Sequence, residues 1–213
     1  MEKFFNEEVA SQIKDILTQM KNEITIKLFI DGACDTCLET KQLLEETAEL
    51  NAKIKLVVHE VKKDVEEAKK YDITLTPSFV FLDDKGTYKG VKFSGFPGGH
   101  EINSFLSAVI EMSGNLPEFP QELLDRIAKI DKPVDIKVFV TLSCPHCPPA
   151  VETAHRLAML NPNIKGVMIE AQTFNEMSNK YKVSGVPKIV INDKHELLGN
   201  QPIEEFLNKI ELL

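Results

Sequence analysis

Two segments of this chain repeat each other without a gap, and this repeat constrains the fold more than any other feature. Residues 26–83 align with 136–193 at a constant offset of 110, and 18 of the 58 positions are identical. A repeat of this length indicates two copies of one structural unit. The register then resumes at an offset of 101, so the first unit holds nine extra residues, which we expect in the Gly-rich stretch at 95–99.

Both copies show the same predicted order of elements. A mostly apolar strand at 24–30 or 135–140 precedes an amphipathic helix, at 37–50 or 147–160. A second strand, a short polar helix, two further strands and a closing helix follow. This order predicts an α/β fold with two tandem units, each a mixed four-stranded sheet flanked by helices. We hypothesise that the two sheets join into one continuous sheet, because an unpaired sheet edge invites pairing.

The connection between the copies and the overall charge limit the possible architectures and partners. One Gly and two Pro in the stretch 112–121 place the boundary there, giving units at 1–115 and 116–213. The formal net charge of −8 argues against binding to nucleic acid or to an anionic membrane. The N-terminus resembles an amphipathic helix more than a signal peptide, and no apolar run has membrane-spanning length. We therefore expect a cytoplasmic protein.

The four cysteines form two CxxC pairs, Cys34/Cys37 and Cys144/Cys147. In a reducing compartment such thiols do chemistry or bind metal more often than they form static disulfides. Zinc ribbons place their pairs about 15–20 residues apart, whereas 106 residues separate these two pairs. No metal site is therefore predicted, although zinc or iron–sulfur binding by a non-catalytic protein stays open as an alternative.

The second motif has the residue types that thiol exchange requires. Cys144 is predicted just before a helix, where the helix dipole stabilises a thiolate, with Pro145 at the first helical position. Cys147, one turn into the helix, is then the resolving thiol. His146 favours the thiolate further, whereas Asp35 in the first motif opposes it. We predict that Cys144/Cys147 is the more reactive and more oxidising pair.

A proline follows the first cysteine of each motif by 43 residues and directly precedes a strand. These residues are Pro77 and Pro187. Their preceding residues, Thr76 and Val186, are predicted to offer their backbone to an extended substrate. Together with "CDTC" at 34–37 and "CPHC" at 144–147, the stretches "TLTPSF" and "SGVPKI" resemble those of the tandem protein disulfide oxidoreductases.

This family consists of glutaredoxin-like proteins built from two thioredoxin-fold units. The resemblance implies thiol–disulfide exchange on protein disulfide substrates, by reduction, oxidation or isomerisation, without a bound cofactor. It also implies recharging by an NADPH-dependent thioredoxin-reductase-like flavoenzyme, and a cis bond before Pro77 and Pro187. An alternative is a dedicated electron relay between such a flavoenzyme and a peroxidase. Related tandem regions of alkyl hydroperoxide reductase flavoproteins typically keep cysteines only in their second unit.

The sequence departs from typical thioredoxins in several positions. Ala33 and Ser143 stand where a tryptophan usually precedes the motif, and the buried aspartate of the central strand has no counterpart. Glu60 and Glu170, repeated at matching strand ends, are the candidates to handle the proton of the resolving thiol. Pro148-Pro149 predicts an irregular helix start. The histidines without repeat partners are predicted at the surface or as caps: His59, His100, His155 and His195.

Overall fold

The computed structural model describes residues 3–32 and 34–213. The first unit contains α1 (Glu7–Leu17), β1 (Ile24–Ile30), α2 (Cys37–Glu49), β2 (Ile54–Glu60), α3 (Val65–Lys70), β3 (Ser78–Leu82), β4 (Tyr88–Ser94), a 3₁₀ turn (Gly99–Glu101) and α4 (Ile102–Met112). The second contains α5 (Gln121–Ala128), β5 (Val134–Val140), α6 (Cys147–Leu160), β6 (Ile164–Glu170), α7 (Asn175–Lys180), β7 (Lys188–Ile191), β8 (His195–Leu198) and α8 (Ile203–Ile210). The proposed boundary at 115/116 falls in the connection between α4 and α5.

All eight strands form one mixed sheet, in the order β2-β1-β3-β4-β6-β5-β7-β8. Within each unit the first strand pairs parallel with the second and antiparallel with the third. The units join through a parallel pairing of β4 with β6, from Val91 opposite Gly166 to Ser94 opposite Ile169. The predicted tandem fold and the continuous sheet are both confirmed.

The sheet topology brings the two CxxC motifs to the same edge. The pairings make β1 and β5 run in the same direction, and each motif follows the carboxyl end of its strand. Four strand spacings separate β1 from β5, which corresponds to about 19 Å. The two sites therefore face the same side of the molecule without touching each other.

One hydrophobic core extends through both units on one face of the sheet, and two smaller cores lie on the other. The continuous core includes Ile26 of β1 and Ile136 of β5, together with residues of α1, α2, α4, α5, α6 and α8. The separate clusters lie under α3, around Phe29, and under α7, around Phe139. Alternate residues of the central strands thus supply the two faces, as the strand period requires.

The nine extra residues of the first unit occupy two places. Ser78 pairs with Ser94, whereas Lys188 pairs with Leu198, so the β3–β4 hairpin is six residues longer than the β7–β8 hairpin. The other three residues lengthen the connection between this hairpin and the last helix of the unit. The prediction that placed the insertion at 95–99 is therefore right only in part, because a longer turn and strand β4, with a bulge near Val80, take up most of it.

Close backbone contacts hold the two units together along β4 and β6. A Cβ atom on Gly90, whose φ is +77°, would lie 2.4 Å from the carbonyl oxygen of Ile164. Such an approach is possible only for glycine. The ring of His155 on α6 packs against Phe93 at 4.8 Å, and its Nε2–H donates to the carbonyl oxygen of Lys92 at 3.2 Å.

Two of the predictions about histidines are wrong. His155 is 1% exposed rather than at the surface, because α6 turns it toward the junction with β4. His59 is half-buried and stacks on Phe29, with an ion pair to Asp64 at 3.3 Å. In the described part of the chain, no helix combines the length and apolar character needed to cross a membrane.

Candidate functional site

Both CxxC motifs hold a disulfide at the start of a helix. Cys34 is bonded to Cys37 with their Cα atoms 5.3 Å apart, and Cys144 to Cys147 with 5.6 Å. These separations are ordinary for disulfides. The second cysteine of each pair is the first residue of its helix, α2 or α6. Each pair therefore lies where a strand of the sheet gives way to a helix.

The two cysteines of each motif differ in exposure. Cys144 is 9% exposed and Cys147 is fully buried, while Cys34 is half-buried and Cys37 is 2% exposed. An incoming disulfide thus meets the first sulfur of each pair before the second. This arrangement suits an attacking first thiol and a shielded resolving thiol.

The start of α6 differs in detail from the sequence prediction. Pro145 lies in a turn, closed by the Cys147 amide donating to the Cys144 carbonyl oxygen at 3.4 Å, and not at the first helical position. The exposed His146 is the N-cap, and Pro148 and Pro149 are the second and third residues of the helix, after Cys147. Prolines there lack only amide hydrogens that have no partner within the helix, so the helix runs unbroken to Leu160. The predicted irregular helix start is wrong.

The residue before the second strand-opening proline lies beside a disulfide. The bonds before Pro77 and Pro187 are both cis, as the resemblance implies. Both prolines are buried, whereas Thr76 and Val186 are half-buried. The carbonyl oxygen of Val186 lies 3.8 Å from Cys144 Sγ. A substrate that reaches this sulfur therefore also meets the Val186 backbone.

Glu60 and Glu170 end equivalent strands but have different surroundings. Glu60 is exposed and pairs with Lys63 at 2.6 Å. Glu170 is 2% exposed, and its carboxylate accepts the backbone amides of Gln172 at 3.2 Å and Thr173 at 2.6 Å. The Glu170 carboxylate therefore fixes the loop after β6.

A third carboxyl group, which the sequence analysis missed, lies in the turn before α4. Glu101 is fully buried in this 3₁₀ turn, and one of its carboxyl oxygens contacts the Ser104 hydroxyl while the other has no hydrogen-bond partner. Burial, with a smaller contribution from the negative charge of Glu152, raises the pKa of Glu101 from 4.5 to about 7, although the hydrogen bond with Ser104 lowers it.

The turn that carries Glu101 touches the second CxxC loop. The backbone amide of His100 donates to the carbonyl oxygen of Leu142 at 2.9 Å, and Gly99 is too close to that carbonyl for any Cβ atom. The turn also contacts α6, whose first residue is Cys147. Glu101 lies outside the gap-free repeat, in the lengthened connection before α4, so the sequence offered only its position after a Gly-rich loop as a signal.

The site contains no obvious place for a metal ion. Within residues 3–32 and 34–213, no three His, Cys, Asp or Glu side chains are grouped so that they could hold one. Ser143, where thioredoxins usually have tryptophan, is exposed, and Ala33 lies outside the described residues.

Comparisons with known proteins agree on the type of domain. The family model described as "Thioredoxin domain" matches residues 24–107 and 134–211. The alkyl hydroperoxide reductase F protein of Staphylococcus epidermidis is 29% identical over 205 residues, which cover 96% of this chain and 37% of that protein. The corresponding protein of Staphylococcus aureus is also 29% identical, with the same coverage. This chain thus spans less than half the length of these curated relatives.

Two solved structures are similar over nearly the whole chain. The alkyl hydroperoxide reductase F protein of Enterococcus faecalis superposes with a TM-score of 0.92 and 30% identity, covering 98% of this chain and 100% of that one. A protein disulfide oxidoreductase from Aeropyrum pernix superposes with a TM-score of 0.89 and 26% identity, covering 97% and 92%. The tandem arrangement is therefore shared with a peroxide-reducing system and with a disulfide-exchanging protein.

Proposed function

Because this chain belongs to the thioredoxin-domain family and is a thiol–disulfide oxidoreductase with two CxxC pairs, we propose that it exchanges disulfides with protein substrates, chiefly at Cys144/Cys147. The observation that carries this proposal is the 3.8 Å distance between Cys144 Sγ and the carbonyl oxygen of Val186. A backbone acceptor beside the reactive sulfur suits an extended polypeptide, whose amides can donate to it.

The reduction of a substrate disulfide takes two exchange steps. The Cys144 thiolate attacks one substrate sulfur, a mixed disulfide forms, and the first substrate thiolate leaves. The Cys147 thiolate then attacks Cys144 Sγ, which closes the internal disulfide and releases the second substrate thiolate. Two electrons pass to the substrate, and its two sulfurs gain protons. Oxidation of a substrate dithiol is the reverse sequence.

We propose that Glu101 takes up the proton of the resolving thiol, because the turn that carries Glu101 is hydrogen-bonded to the second CxxC loop, from the His100 amide to the Leu142 carbonyl oxygen. A general base works best when its pKa lies near the working pH, and burial brings the pKa of Glu101 to about 7. The carboxylate of Glu170 is already occupied by loop amides, and Glu60 is exposed to solvent. These surroundings favour Glu101 over the two glutamates that the repeat pointed to.

The two sites are proposed to differ in reactivity and to depend on an external reductant. His146 stands between the cysteines of the second motif and Asp35 between those of the first, so we expect the second pair to be more oxidising by tens of millivolts. An NADPH-dependent thioredoxin-reductase-like flavoenzyme is the proposed partner that reduces both pairs. A reducing compartment such as the cytoplasm suits this cycle.

A second candidate function is electron relay from a flavoenzyme to a peroxidase. The curated relatives and the Enterococcus faecalis structure belong to alkyl hydroperoxide reductases, and they favour this candidate. A relay requires a strong preference for one partner, whereas a general oxidoreductase reduces many disulfides. Both candidates use the same thiols.

Two double variants and a pair of assays test the proposal. Cys34→Ser/Cys37→Ser should retain most of the insulin-reducing activity, and Cys144→Ser/Cys147→Ser should lose most of it. Each remaining pair is equilibrated in thiol buffers to obtain its reduction potential. Insulin reduction that persists when all four cysteines are replaced contradicts the proposal. Peroxide reduction with a partner peroxidase, together with negligible insulin reduction, favours the relay instead.

A further inference from the structure

A cleft of about 560 Å³ adjoins the second redox site. Val186, which contacts Cys144, forms part of one wall, and Thr141, the residue after β5, forms part of another. Residues of α7 and of the loops on either side of it complete the cleft. A polypeptide bound at Cys144 can therefore continue into this space. We call it the amide cleft, after Gln172, Asn175 and Asn179, which line it.

The polar side chains around the amide cleft are uncharged. Besides the three amides, Thr141, Ser178 and Ser184 line it together with small and apolar residues, and no charged residue is among its described lining residues. The Asn179 side-chain amide donates to Asn175 Oδ1 at 3.0 Å. A side-chain amide has two donors and an acceptor, so this single bond leaves both residues able to bond to a ligand.

Buried polar contacts hold the backbone around the amide cleft in place. The Ser178 hydroxyl donates to the carbonyl oxygen of Ala171 at 2.9 Å and ties α7 to the loop after β6. The carboxylate of Glu170 holds the same loop through the amides of Gln172 and Thr173. The amide side chains are therefore presented from an ordered backbone, which lowers the entropy cost of binding.

The first unit provides an internal comparison, because its equivalent positions are charged. Thr141, Gln172 and Asn179 correspond in the repeat to Asp31, Lys62 and Lys69. Lys62 forms an ion pair with Asp31 at 3.0 Å. A neutral peptide segment entering there would displace the water around three charged groups without satisfying them. The two redox sites thus differ in the chemistry of the surface beside them.

A difference in side-chain volume also favours entry of a peptide beside the second redox site over entry beside the first. Gly185 lines the amide cleft, and a Cβ atom on it would meet no other atom within 4 Å. Its repeat partner is Leu75, which packs against the hydrophobic cluster under α7. The position before Val186 therefore leaves open space, whereas the equivalent position before Thr76 carries a leucine side chain.

We propose that the amide cleft binds an extended, uncharged polypeptide segment of the substrate next to its disulfide, and that only the second site has this specificity. Glutathione disulfide carries carboxylates and ammonium groups, which need charged partners that the described lining does not supply. The inference rests on the proposed exchange of protein disulfides at Cys144. It names the substrate class of that site.

The test uses three probes with the same leaving group, in the Cys34→Ser/Cys37→Ser background. Each probe is a mixed disulfide with thionitrobenzoate: a short Gly/Ser/Asn peptide with one cysteine, glutathione, and mercaptoethanol. Attack of the Cys144 thiolate on the probe sulfur expels the coloured thionitrobenzoate thiolate, and Cys147 then releases the probe thiol. The protein is reduced beforehand, and each molecule reacts once, because its dithiol becomes a disulfide. The measured quantity is the second-order rate constant for the peptide probe divided by that for the mercaptoethanol probe.

Gly185→Leu reproduces the residue of the first unit and should lower this ratio about tenfold, which corresponds to about two lost hydrogen bonds. The matched control is Gly32→Leu, at another glycine with no atom near its Cβ position, and it should leave the ratio as in the parent. Gln172→Lys/Asn179→Lys should raise the rate constant for the glutathione probe relative to that for the peptide probe. Gln172→Ala/Asn179→Ala should not.

The outcomes separate this inference from the proposed function. An unchanged ratio in Gly185→Leu, or an equal loss with all three probes, overturns the amide cleft as a binding site. Failure of the parent protein to react even with the mercaptoethanol probe overturns the proposed function itself.

Discussion

Replacing Glu101 with glutamine should change how the stability of this protein depends on pH. Burial raises the pKa of Glu101 from 4.5 to about 7. Because one pKa unit corresponds to about 1.4 kcal/mol, the proton binds the folded state more tightly than the unfolded state by about 3 kcal/mol. The folded pKa is the higher one, so this stabilisation is fully present below about pH 4.5 and is lost as the pH rises through about 7.

His155 contributes a dependence of the opposite sign. Burial, with a smaller contribution from the neighbouring Arg156, lowers its pKa from 6.5 to about 4, although the hydrogen bond with the Lys92 backbone raises it. The folded state therefore prefers the neutral ring, and its stabilisation is present above about pH 6.5 and lost as the pH falls through about 4. The magnitude is again about 3 kcal/mol. Between about pH 4.5 and 6.5 the two groups offset each other, so together they contribute little net pH dependence in the unmodified protein.

Two variants separate the contributions. Of these two groups only the histidine titrates in Glu101→Gln, so between pH 7 and pH 4 its free energy of unfolding should fall by about 3 kcal/mol relative to that of the unmodified protein. In His155→Gln only the carboxyl of this pair titrates, so the free energy of unfolding should rise by a similar amount relative to the unmodified protein over that interval. Urea unfolding of the disulfide form, followed by far-UV circular dichroism because the chain has no tryptophan, provides the measurement. Parallel pH profiles for the unmodified protein and Glu101→Gln would refute the reasoning.

Three further substitutions test the contacts between and within the units by urea unfolding. Gly90→Ala should lower the free energy of unfolding by about 2 kcal/mol or more, since its Cβ would lie 2.4 Å from the Ile164 carbonyl oxygen. Arg156→Met should lower the free energy of unfolding by about 3 kcal/mol, because it removes the ion-pair partner of the buried Glu111, which lies 2.6 Å away. Glu170→Gln should cost about 1–2 kcal/mol, as two loop amides lose a charged acceptor. A variant as stable as the unmodified protein contradicts the contact it tests.

The tandem fold could be predicted because several independent features of the sequence all indicate it. Alternating strands, helices after each CxxC and the two matched prolines recur in the same order, so each copy supports the assignment of the other. That the two sheets join was only a hypothesis, based on the tendency of unpaired edge strands to pair. The pairing of β4 with β6 depends on Gly90, whose close contact with Ile164 only the three-dimensional structure reveals.

The errors concern residues whose surroundings come from the other unit. His155 has no repeat partner and sits on an amphipathic helix, yet it is buried because β4 of the first unit lies against it. Glu101 lies outside the gap-free repeat, so no repeated glutamate marked it, and it is buried in a turn that the His100 amide ties to the second CxxC loop. A single-sequence pattern describes a residue's own element, whereas these positions are determined by a distant one.

The dependence of each site on the other unit explains why the two redox sites cannot be equivalent. The second site receives the 3₁₀ turn with Glu101 from the preceding unit. The first site, by contrast, has Leu75, beside Thr76, docked against the hydrophobic cluster of the unit that follows. Position in the tandem, and not only the residues between the cysteines, therefore makes the sites different. Exchanging His146 for Asp should accordingly reduce the difference in reduction potential between the two pairs without abolishing it, and equal potentials in that variant would show that the dipeptide alone decides.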